Sequence, residues 1–392
     1  MSIIRILVCI NLLLNLDGYS QEAKPVFISG NEGHKSYRIP AIILSERNIL
    51  LAFAEGRVHG SGDFGDINIV MKRSNDNGRS WLPLQMIVDV DSLQAGNPAP
   101  VVDRTDSRYP GGRIFLFYNT GNNTESEVRK GHGLREAWFI TSNDHGMTWS
   151  SPVNITTQVH RPKQPSTNPA YNFSEDWRSY ANTPGHAIQV SKGKYAGRIY
   201  IAANHSAGDP KADFTDYVAH GYYSDDHGKT FHLSDDLSIK GSNESTVAEL
   251  PGNHMIMNSR NQRGDIKFRI TTYSKDGGES WDTSYFDRQL PDPVCQGSIL
   301  AIQSRNNASA LVFCNDADTA HRNNLTLRIS FDEGKSWPHS FAVDSGSDST
   351  IDHTAYSDLV QISDDKIGVL YERNDYKEIC FEVVSIRSFN RR

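Results

Sequence analysis

The sequence predicts an all-β fold, a six-bladed β-propeller whose blades are four-stranded antiparallel sheets. The first observation is a motif, Ser-x-Asp-x-Gly-x-Ser/Thr-Trp/Phe, that occurs at residues 74–81, 142–149, 224–231, 274–281 and 330–337. The second is that a run of strand-forming residues precedes each copy. The third is the spacing, because about 50 to 80 residues between copies fit one four-stranded blade with loops of variable length.

Each motif is interpreted as a hydrogen-bonded turn at the end of a strand. Its aspartate can accept hydrogen bonds from nearby backbone amides, and its glycine can adopt a positive φ without steric cost. The aromatic residue is expected to close over the turn. The motif therefore indicates a fold, and function has to come from residues outside it.

The strand-like runs follow the chain in order. Those before the motifs span residues 67–73, 136–141, 219–223, 268–273 and 325–329. Residues 24–30, 41–44 and 49–54 are further strand candidates near the N-terminus. Together with the segment after residue 337, these N-terminal strands are expected to form a sixth blade that closes the ring. Residues 158–181 are rich in Pro, Asn, Ser and aromatics and are predicted to be a long surface loop.

Residues 1–20 have the composition of a secretory signal peptide. Arg5 precedes a mostly apolar run that ends near Gly18-Tyr19-Ser20. We expect cleavage before Gln21, one domain over residues 21–392, and a secreted or periplasmic protein. No run approaches the roughly 20 apolar residues that a membrane helix needs, so no stable membrane insertion is expected.

The cysteine count and the charge exclude several classes of protein. Cys9 lies in the predicted signal peptide, which leaves Cys295, Cys314 and Cys380, an odd number without the spacing of a disulfide framework or a zinc site. The net charge is −7 and the charges are scattered, so nucleic acid is not an expected partner. We expect no cofactor, and a structural calcium ion is left open.

Residues 37–40 read Tyr-Arg-Ile-Pro and lead into a strand. This tetrapeptide resembles the N-terminal signature of the sialidase family, and the repeated motif resembles the Asp box of the same family. The resemblance covers essentially the whole of residues 21–392. It implies a propeller that carries a glycoside hydrolase site, and it assigns to Arg38 the binding of a substrate carboxylate.

Two further arginines are implied by the resemblance to bind the same carboxylate. Arg260 and Arg322 match the second and third arginines of the family's triad, and charge-assisted bidentate contacts of this kind are strong. Glu372 matches the residue that holds the first arginine, Arg38, in place. Arg328 lies on the strand that enters the fifth motif and is interpreted as structural.

A glycine-rich loop after residue 57 is expected to carry the general acid/base. In sialidases this aspartate follows the first triad arginine at about this interval, with another arginine between them. Arg57 and Asp63 fill those places, and Asp66 is the competing candidate. The resemblance places Arg57 beside the O4 side of the sugar.

The resemblance also implies a tyrosine nucleophile, Tyr356, with Tyr371 interpreted as a buried strand residue instead. Sialic acid carries its carboxylate on the anomeric carbon, so a carboxylate nucleophile would approach against like charge, which a phenol avoids. A phenol with a pKa near 10 needs a base to activate it at neutral pH. That role is implied for Glu244, whose rival is Glu249.

The sequence therefore predicts a retaining exo-α-sialidase acting on sialylated glycoproteins, glycolipids or oligosaccharides. Asp63 would protonate the leaving oxygen and then deprotonate water; a tyrosine nucleophile in sialidases is a known exception to the two-carboxylate scheme. A trans-sialidase and a non-catalytic sialic-acid-binding propeller are the alternatives. Trp177 and Tyr180, in the long loop, either stack on a sugar or fix the loop.

Overall fold

The computed structural model describes residues 20–303 and 309–386, and the chain in these ranges is almost entirely β-structure. The predicted signal peptide lies outside the described residues except for its last residue. Helices α1 (Glu125–Arg129) and α2 (Thr156–Val159) and one 3-10 turn (Pro251–Asn253) are short. Across these ranges no helix has the length and apolar character that crossing a membrane requires.

The strands of the described ranges are, in chain order, β1 (Ser20–Ile28), β2 (Ser36–Leu44), β3 (Leu50–Arg57), β4 (Ile67–Ser74), β5 (Gln85–Val88), β6 (Gln94–Asp103), β7 (Arg113–Gly121), β8 (Arg135–Ser142), β9 (Val153–Asn154), β10 (Trp177–Asn182), β11 (Ile188–Gln189), β12 (Ile199–Ala207), β13 (Tyr217–Ser224), β14 (His232–Leu233), β15 (Ser242–Glu249), β16 (Met255–Asn261), β17 (Phe268–Ser274), β18 (Tyr285–Pro291), β19 (Ser298–Gln303), β20 (Ser309–Asp316), β21 (Leu325–Ser330), β22 (His339–Asp344), β23 (Thr354–Ser363), β24 (Lys366–Arg373) and β25 (Glu378–Ser385).

The all-β propeller prediction is confirmed, but the count of six separate blades is wrong. In the part of the chain that the structure describes, four separate sheets of four or five strands are present, and β2 to β9 form one eight-stranded sheet. Its two antiparallel halves, β2–β5 and β6–β9, are joined by a single parallel pair, Ile67 with Gln94. Because β5 pairs with β4 only from Ile69 to Met71, the start of β4 stays available to the next half.

The sheets form a ring, because an edge strand of each sheet, or of each half of the eight-stranded sheet, contacts an edge strand of its neighbours. β2 contacts β6 and β23, β11 contacts β6 and β15, and β19 contacts β15 and β23. The N-terminal strand β1 pairs with β25 and completes the sheet of β23, β24 and β25. The two ends of the described chain therefore close the ring together, but β2 and β3, which were expected in the same blade as β1, belong to the eight-stranded sheet.

The repeated motif is a hydrogen-bonded turn in every copy. In the first, the backbone N–H and the hydroxyl of Ser80 donate to Asp76 at 2.9 and 2.6 Å. The Ser74 hydroxyl donates to Asp76 at 2.8 Å and accepts from the Gly78 N–H at 2.9 Å. The other four copies repeat this pattern. The motif therefore stabilises the strand connection, as expected.

The motif also packs against the preceding sheet of the ring. A Cβ added to Gly78, at φ +82°, would lie 2.1 Å from the Phe381 ring. The Trp81 ring meets Phe381 edge-on at 5.4 Å, and the Trp149 ring meets Phe53 at 6.1 Å. The aromatic residue thus joins neighbouring sheets, or the two halves of the eight-stranded sheet, a role that the motif alone did not indicate.

The prediction of a loop throughout residues 158–181 is wrong at its C-terminal end. Trp177–Asn182 is strand β10, which pairs with β12. A register shift between Trp177 and Tyr180 breaks the alternation of side chains, and this irregularity hides the strand from a search for period-two patterns.

Candidate active site

The predicted site residues gather at one end of the ring. Arg38, Glu244 and Tyr356 lie near the starts of β2, β15 and β23, which are edge strands that contact neighbouring sheets. Arg260 and Glu372 lie near the ends of β16 and β24, which pair with β15 and β23. In an antiparallel pair the end of one strand lies beside the start of the other, so these positions share one face.

Tyr356 and Glu244 are in direct contact. The Tyr356 hydroxyl donates to Glu244 Oε1 at 2.5 Å, and Arg260 Nη1 donates to Glu244 Oε2 at 2.8 Å and to the Tyr356 oxygen at 3.1 Å. Burial raises the pKa of Tyr356 well above its usual value, and the negative charge of Glu244 raises it further. The positive charges of Arg260 and Arg322 lower this pKa but do not cancel the rise. The phenol is therefore protonated at neutral pH, with its proton directed at a carboxylate.

Glu372 fixes Arg38. Glu372 Oε1 accepts from Arg38 Nε at 2.7 Å and from the Ile39 N–H at 2.8 Å, while Oε2 accepts from the Tyr356 N–H at 3.2 Å. Burial lowers the pKa of Arg38, but the charge and the hydrogen bond of Glu372, together with the nearby Tyr356 and Tyr376, more than offset this and the net pKa is raised. One buried carboxylate thus holds both the guanidinium of Arg38 and the backbone of Tyr356 in position.

Arg322 reaches the same place from the loop before β21. Its Nη1 donates to the Tyr376 hydroxyl at 3.2 Å and its Nη2 donates to the Val294 carbonyl at 3.3 Å. Its guanidinium lies 5.8 Å from the centre of the Tyr356 ring, and that of Arg38 lies 5.5 Å from the same ring. The three arginines therefore surround one tyrosine, although they are distant in sequence.

Sequence reasoning missed Tyr376 and Val294. Tyr376 lies in the turn that follows β24, four residues beyond Glu372. Its position in the sequence could have indicated it, because the turn that follows β24 has to lie at the same end of the sheet as Glu372. Val294 adopts φ +67°, which is rare for a β-branched residue. Nothing in the sequence marks that conformation.

Arg57 and Asp63 form a second part of the site. Arg57 is buried and donates from Nη1 to Asp63 Oδ1 at 2.7 Å, and from Nη2 to Glu55 at 2.7 Å. The Asp63 side chain is 83% exposed. Asp66 has other neighbours, His59 at 3.9 Å and the Asn68 amide at 3.5 Å. Of the two candidates, only Asp63 contacts Arg57.

Glu55 is a further residue that the sequence did not single out. Its Oε2 holds Arg57 and its Oε1 accepts from the Asn97 N–H at 2.9 Å. The carboxylate is almost fully buried. It connects the loop of the general acid candidate to the start of β6, so it serves the same purpose for Arg57 that Glu372 serves for Arg38.

Three rival residues have structural contacts elsewhere. Glu249 accepts from the N–H and hydroxyl of Ser191 at the opposite end of β15. The buried Tyr371 hydroxyl donates to Asp344 at 2.9 Å. Arg328 donates to Asn315 at 3.0 Å. None of these contacts involves Tyr356 or the triad arginines.

The two aromatic residues of the long loop belong to the core. Tyr180 is 1% exposed. The Trp177 ring is partly buried and stacks on His205, with ring centres 3.5 Å apart and planes at 9°. The structure therefore favours a role in fixing this segment over a role in stacking on a sugar.

Among the residues that the structure describes, two groups of side chains are close enough to share a metal ion, and the sequence spacing indicated neither: His205 with His220 and Asp236, and Asp103 with Asp106 and His227. In each group a hydrogen bond joins two of the members. His205 Nδ1 lies 3.2 Å from His220 Nδ1, and His227 Nδ1 lies 2.7 Å from Asp103. These hydrogen bonds account for the arrangement of the side chains without an ion.

A cavity of about 930 Å³ opens at the other end of the ring. Its lining includes Leu44, Glu249 and Gln361, which lie towards the ends of β2, β15 and β23. The cluster around Tyr356 occupies the starts of these strands. The volume at this far end is therefore separate from the cluster around Tyr356.

Residues 48–369 match a family model described as a BNR repeat-like domain. The chain is 31% identical to a sialidase of Micromonospora viridifaciens over 365 residues, which are 88% of this chain and 51% of that protein. The chain belongs to the sialidase family. Sialidases are glycoside hydrolases.

The chain aligns with a larger share of other sialidases. The chain is 29% identical to the exo-alpha-sialidase of Aspergillus fumigatus over 91% of this chain and 83% of that protein. Among solved structures, the Hadza microbial sialidase Hz136 superposes with a TM-score of 0.77 at 26% identity, covering 93% of this chain and 69% of that one. The chain spans only about half of the Micromonospora sialidase, so that relative contains a long additional part.

Proposed function

We propose that this chain is a retaining exo-α-sialidase that removes terminal sialic acid from glycoconjugates. The observation that carries the proposal is the 2.5 Å hydrogen bond between Tyr356 and Glu244, with Arg260 joined to both. It supports a phenol nucleophile with its base in place. The similarity to proteins named sialidase and exo-alpha-sialidase supports the same substrate class.

In the first step, Arg38, Arg260 and Arg322 bind the carboxylate on the anomeric carbon, which orients the sugar over Tyr356. Glu244 takes the phenol proton as the Tyr356 oxygen attacks that carbon. The bond to the aglycone oxygen breaks with its electron pair, and that oxygen receives the proton of Asp63. The products are the free aglycone and a tyrosyl-enzyme intermediate.

In the second step, water attacks the anomeric carbon from the side that the aglycone has left. The Asp63 carboxylate takes a proton from this water, and the bond to the Tyr356 oxygen breaks. Glu244 returns its proton to the phenolate. Two inversions give overall retention of configuration. The high exposure of the Asp63 side chain supports this role, because both the aglycone and water have to approach it from solvent.

The raised pKa of Tyr356 explains why the mechanism needs Glu244 as a base. A free phenolate at this position would need a pH far above neutral, whereas a carboxylate in hydrogen-bond contact can take the proton as the bond forms. Glu372 and Glu55 contribute by holding Arg38 and Arg57 at fixed positions, which lowers the reorganisation needed in the transition state.

A trans-sialidase is the second candidate, since its intermediate would be the same and only the acceptor would differ. A fluorogenic sialoside assayed with and without a galactoside acceptor separates the two. Release of sialic acid that is unaffected by acceptor supports hydrolysis, and a sialylated galactoside as main product supports transfer. Binding without release of the fluorophore would favour the non-catalytic alternative. Residues 1–20 are proposed as an export signal, and N-terminal sequencing of the exported protein tests cleavage before Gln21.

A further inference from the structure

We propose that Tyr376 is a fourth member of the carboxylate site and that its phenol donates a hydrogen bond to the substrate carboxylate. The inference rests on the proposed function, because it requires an anionic sugar bound between Arg38 and Arg322. The motifs of the sequence did not indicate Tyr376. The structure brings it against two of the three arginines.

The turn between β24 and β25 presents this side chain to the site. Asn374, Asp375 and Tyr376 all adopt left-handed conformations, with φ of 55°, 52° and 61°. Each left-handed non-glycine residue costs free energy and persists only where the surroundings hold it. Ser29 does so here, since its hydroxyl donates to the Tyr376 carbonyl and its N–H donates to the Lys377 carbonyl, both at 2.9 Å.

Tyr376 connects two guanidinium groups without adding charge. The Arg38 guanidinium lies 4.0 Å from the centre of its ring, and its hydroxyl oxygen accepts from Arg322 Nη1 at 3.2 Å. A carboxylate in this place would pair with both arginines and compete with the substrate. Burial raises the pKa of Tyr376, so the phenol is neutral and fixes the spacing of the arginines while leaving their charge available.

The hydroxyl also retains a proton to donate. Its oxygen accepts from Arg322, and within the described part of the chain its own O–H donates to no acceptor. The ring packs against the cluster that contains Tyr356 and Cys295, so the hydroxyl lies beside the proposed carboxylate position. A carboxylate offers about four lone-pair sites and accepts readily from a third kind of donor.

The test compares the parent with Tyr376→Phe, which keeps the ring over Arg38 and removes only the hydroxyl. Calorimetry would measure binding of 2,3-didehydro-2-deoxysialic acid and of its analogue with a hydroxymethyl group in place of the carboxylate. We expect roughly 10- to 150-fold weaker binding of the acid, the loss that corresponds to one hydrogen bond to a charged group. Binding of the neutral analogue should change less than about threefold.

A matched control is Tyr195→Phe, at a partly buried tyrosine in the turn between β11 and β12. Its ring faces Arg198 at 4.4 Å and its hydroxyl lies 3.0 Å from Lys194 Nζ, so it has the same kinds of contact away from the site. This variant should bind both compounds as the parent does. Tyr376→Leu, which also removes the ring, should bind the acid more weakly than Tyr376→Phe at an unchanged melting temperature.

Equal binding of the acid by the parent and by Tyr376→Phe would overturn the inference. So would equal losses for the acid and the neutral analogue, because these would show a general change of shape. If the parent cleaves sialosides and Tyr376→Phe binds the acid as tightly as the parent does, the proposed function stands and only the role of Tyr376 in binding the carboxylate is removed. A parent that neither binds the acid nor cleaves a sialoside would instead overturn the proposed function and this inference with it.

Discussion

Glu244 joins Tyr356 to Arg260 through its two carboxylate oxygens. One oxygen lies 2.5 Å from the Tyr356 hydroxyl and the other 2.8 Å from Arg260 Nη1. The arginine therefore fixes the carboxylate through one oxygen, and the other oxygen accepts the hydrogen bond of the phenol. A base positioned in this way needs little reorganisation when the proton moves.

Glu244→Gln is expected to lower kcat by about 10²- to 10⁴-fold, the usual contribution of a general base. The amide has nearly the shape of the carboxylate but cannot take the Tyr356 proton. Steady-state kinetics on a natural sialoside would show a large fall in kcat and a smaller change in KM. Glu249→Gln is the control, since Glu249 lies at the far end of the same strand. Equal effects of both substitutions would count against the base assignment.

Asp63 and Asp66 can be separated by the leaving group of the substrate. A phenol-like leaving group needs little protonation, so loss of the true acid should harm natural glycosides far more than activated ones. We expect this selective pattern for Asp63→Ala, because Asp63 contacts Arg57. Rates on both substrates would be compared for Asp63→Ala and Asp66→Ala. The selective pattern at Asp66, with equal losses at Asp63, would exchange the two roles.

Arg322→Lys should weaken binding of the carboxylate. Lysine keeps the charge but not the paired donors of a guanidinium, and each lost charge-assisted hydrogen bond costs roughly 1.5 to 3 kcal/mol. Isothermal calorimetry with an unsaturated sialic acid analogue would measure the loss. Arg328→Lys provides the control, because Arg328 contacts Asn315 instead. Unchanged affinity in Arg322→Lys would remove Arg322 from the carboxylate site.

The motif aspartates should make stability depend on acid pH. Hydrogen bonds from Ser80 lower the pKa of Asp76 to about 2 from an ordinary value near 3.8. Its contribution is therefore complete above about pH 4 and is lost as the pH falls towards 2. Asp76→Asn should cost roughly 1 kcal/mol of unfolding free energy at pH 7 and show a smaller fall in melting temperature between pH 5 and pH 3 than the parent.

Calorimetric melting curves at several pH values would check this, together with kinetics of the folded protein, which should barely change. Asp209→Asn is a suitable control, since the Asp209 side chain is 95% exposed and pairs with Arg178, away from every copy of the motif. A normal melting profile with lost activity in Asp76→Asn would show that the motif has a role in the site that its position in the fold does not indicate.

The repeated motif made the architecture predictable, because all of its hydrogen bonds are local in sequence. The pair between Ile67 and Gln94 was not predictable in the same way. It depends on how far β5 extends along β4, which is set by packing between sheets. The bulged strand at Trp177 was missed for a related reason, since an irregular register removes the alternation that indicates a strand.

For the site, motif positions selected Tyr356, Glu244 and Arg260, and the structure brings them within hydrogen-bond distance. Glu372, which holds Arg38, was also selected, but two other residues that hold the site together were not. Glu55 acts through Arg57, and Tyr376 acts from a turn whose left-handed conformation is imposed by its surroundings. Such roles arise from contacts between distant parts of the chain and leave no local pattern.

Tyr356 is the central residue of the proposed mechanism, and a covalent adduct tests its role as the nucleophile most directly. A fluorinated sialosyl fluoride, which slows breakdown of the intermediate, would be incubated with the protein before trypsin digestion and mass spectrometry. Cleavage after Lys366 separates Tyr356 from Tyr371, so the labelled peptide identifies the residue. We predict label on the peptide of Tyr356, no label in Tyr356→Phe, and loss of most turnover in that variant. Label on the peptide of Tyr371, or full activity of Tyr356→Phe, would contradict the mechanism.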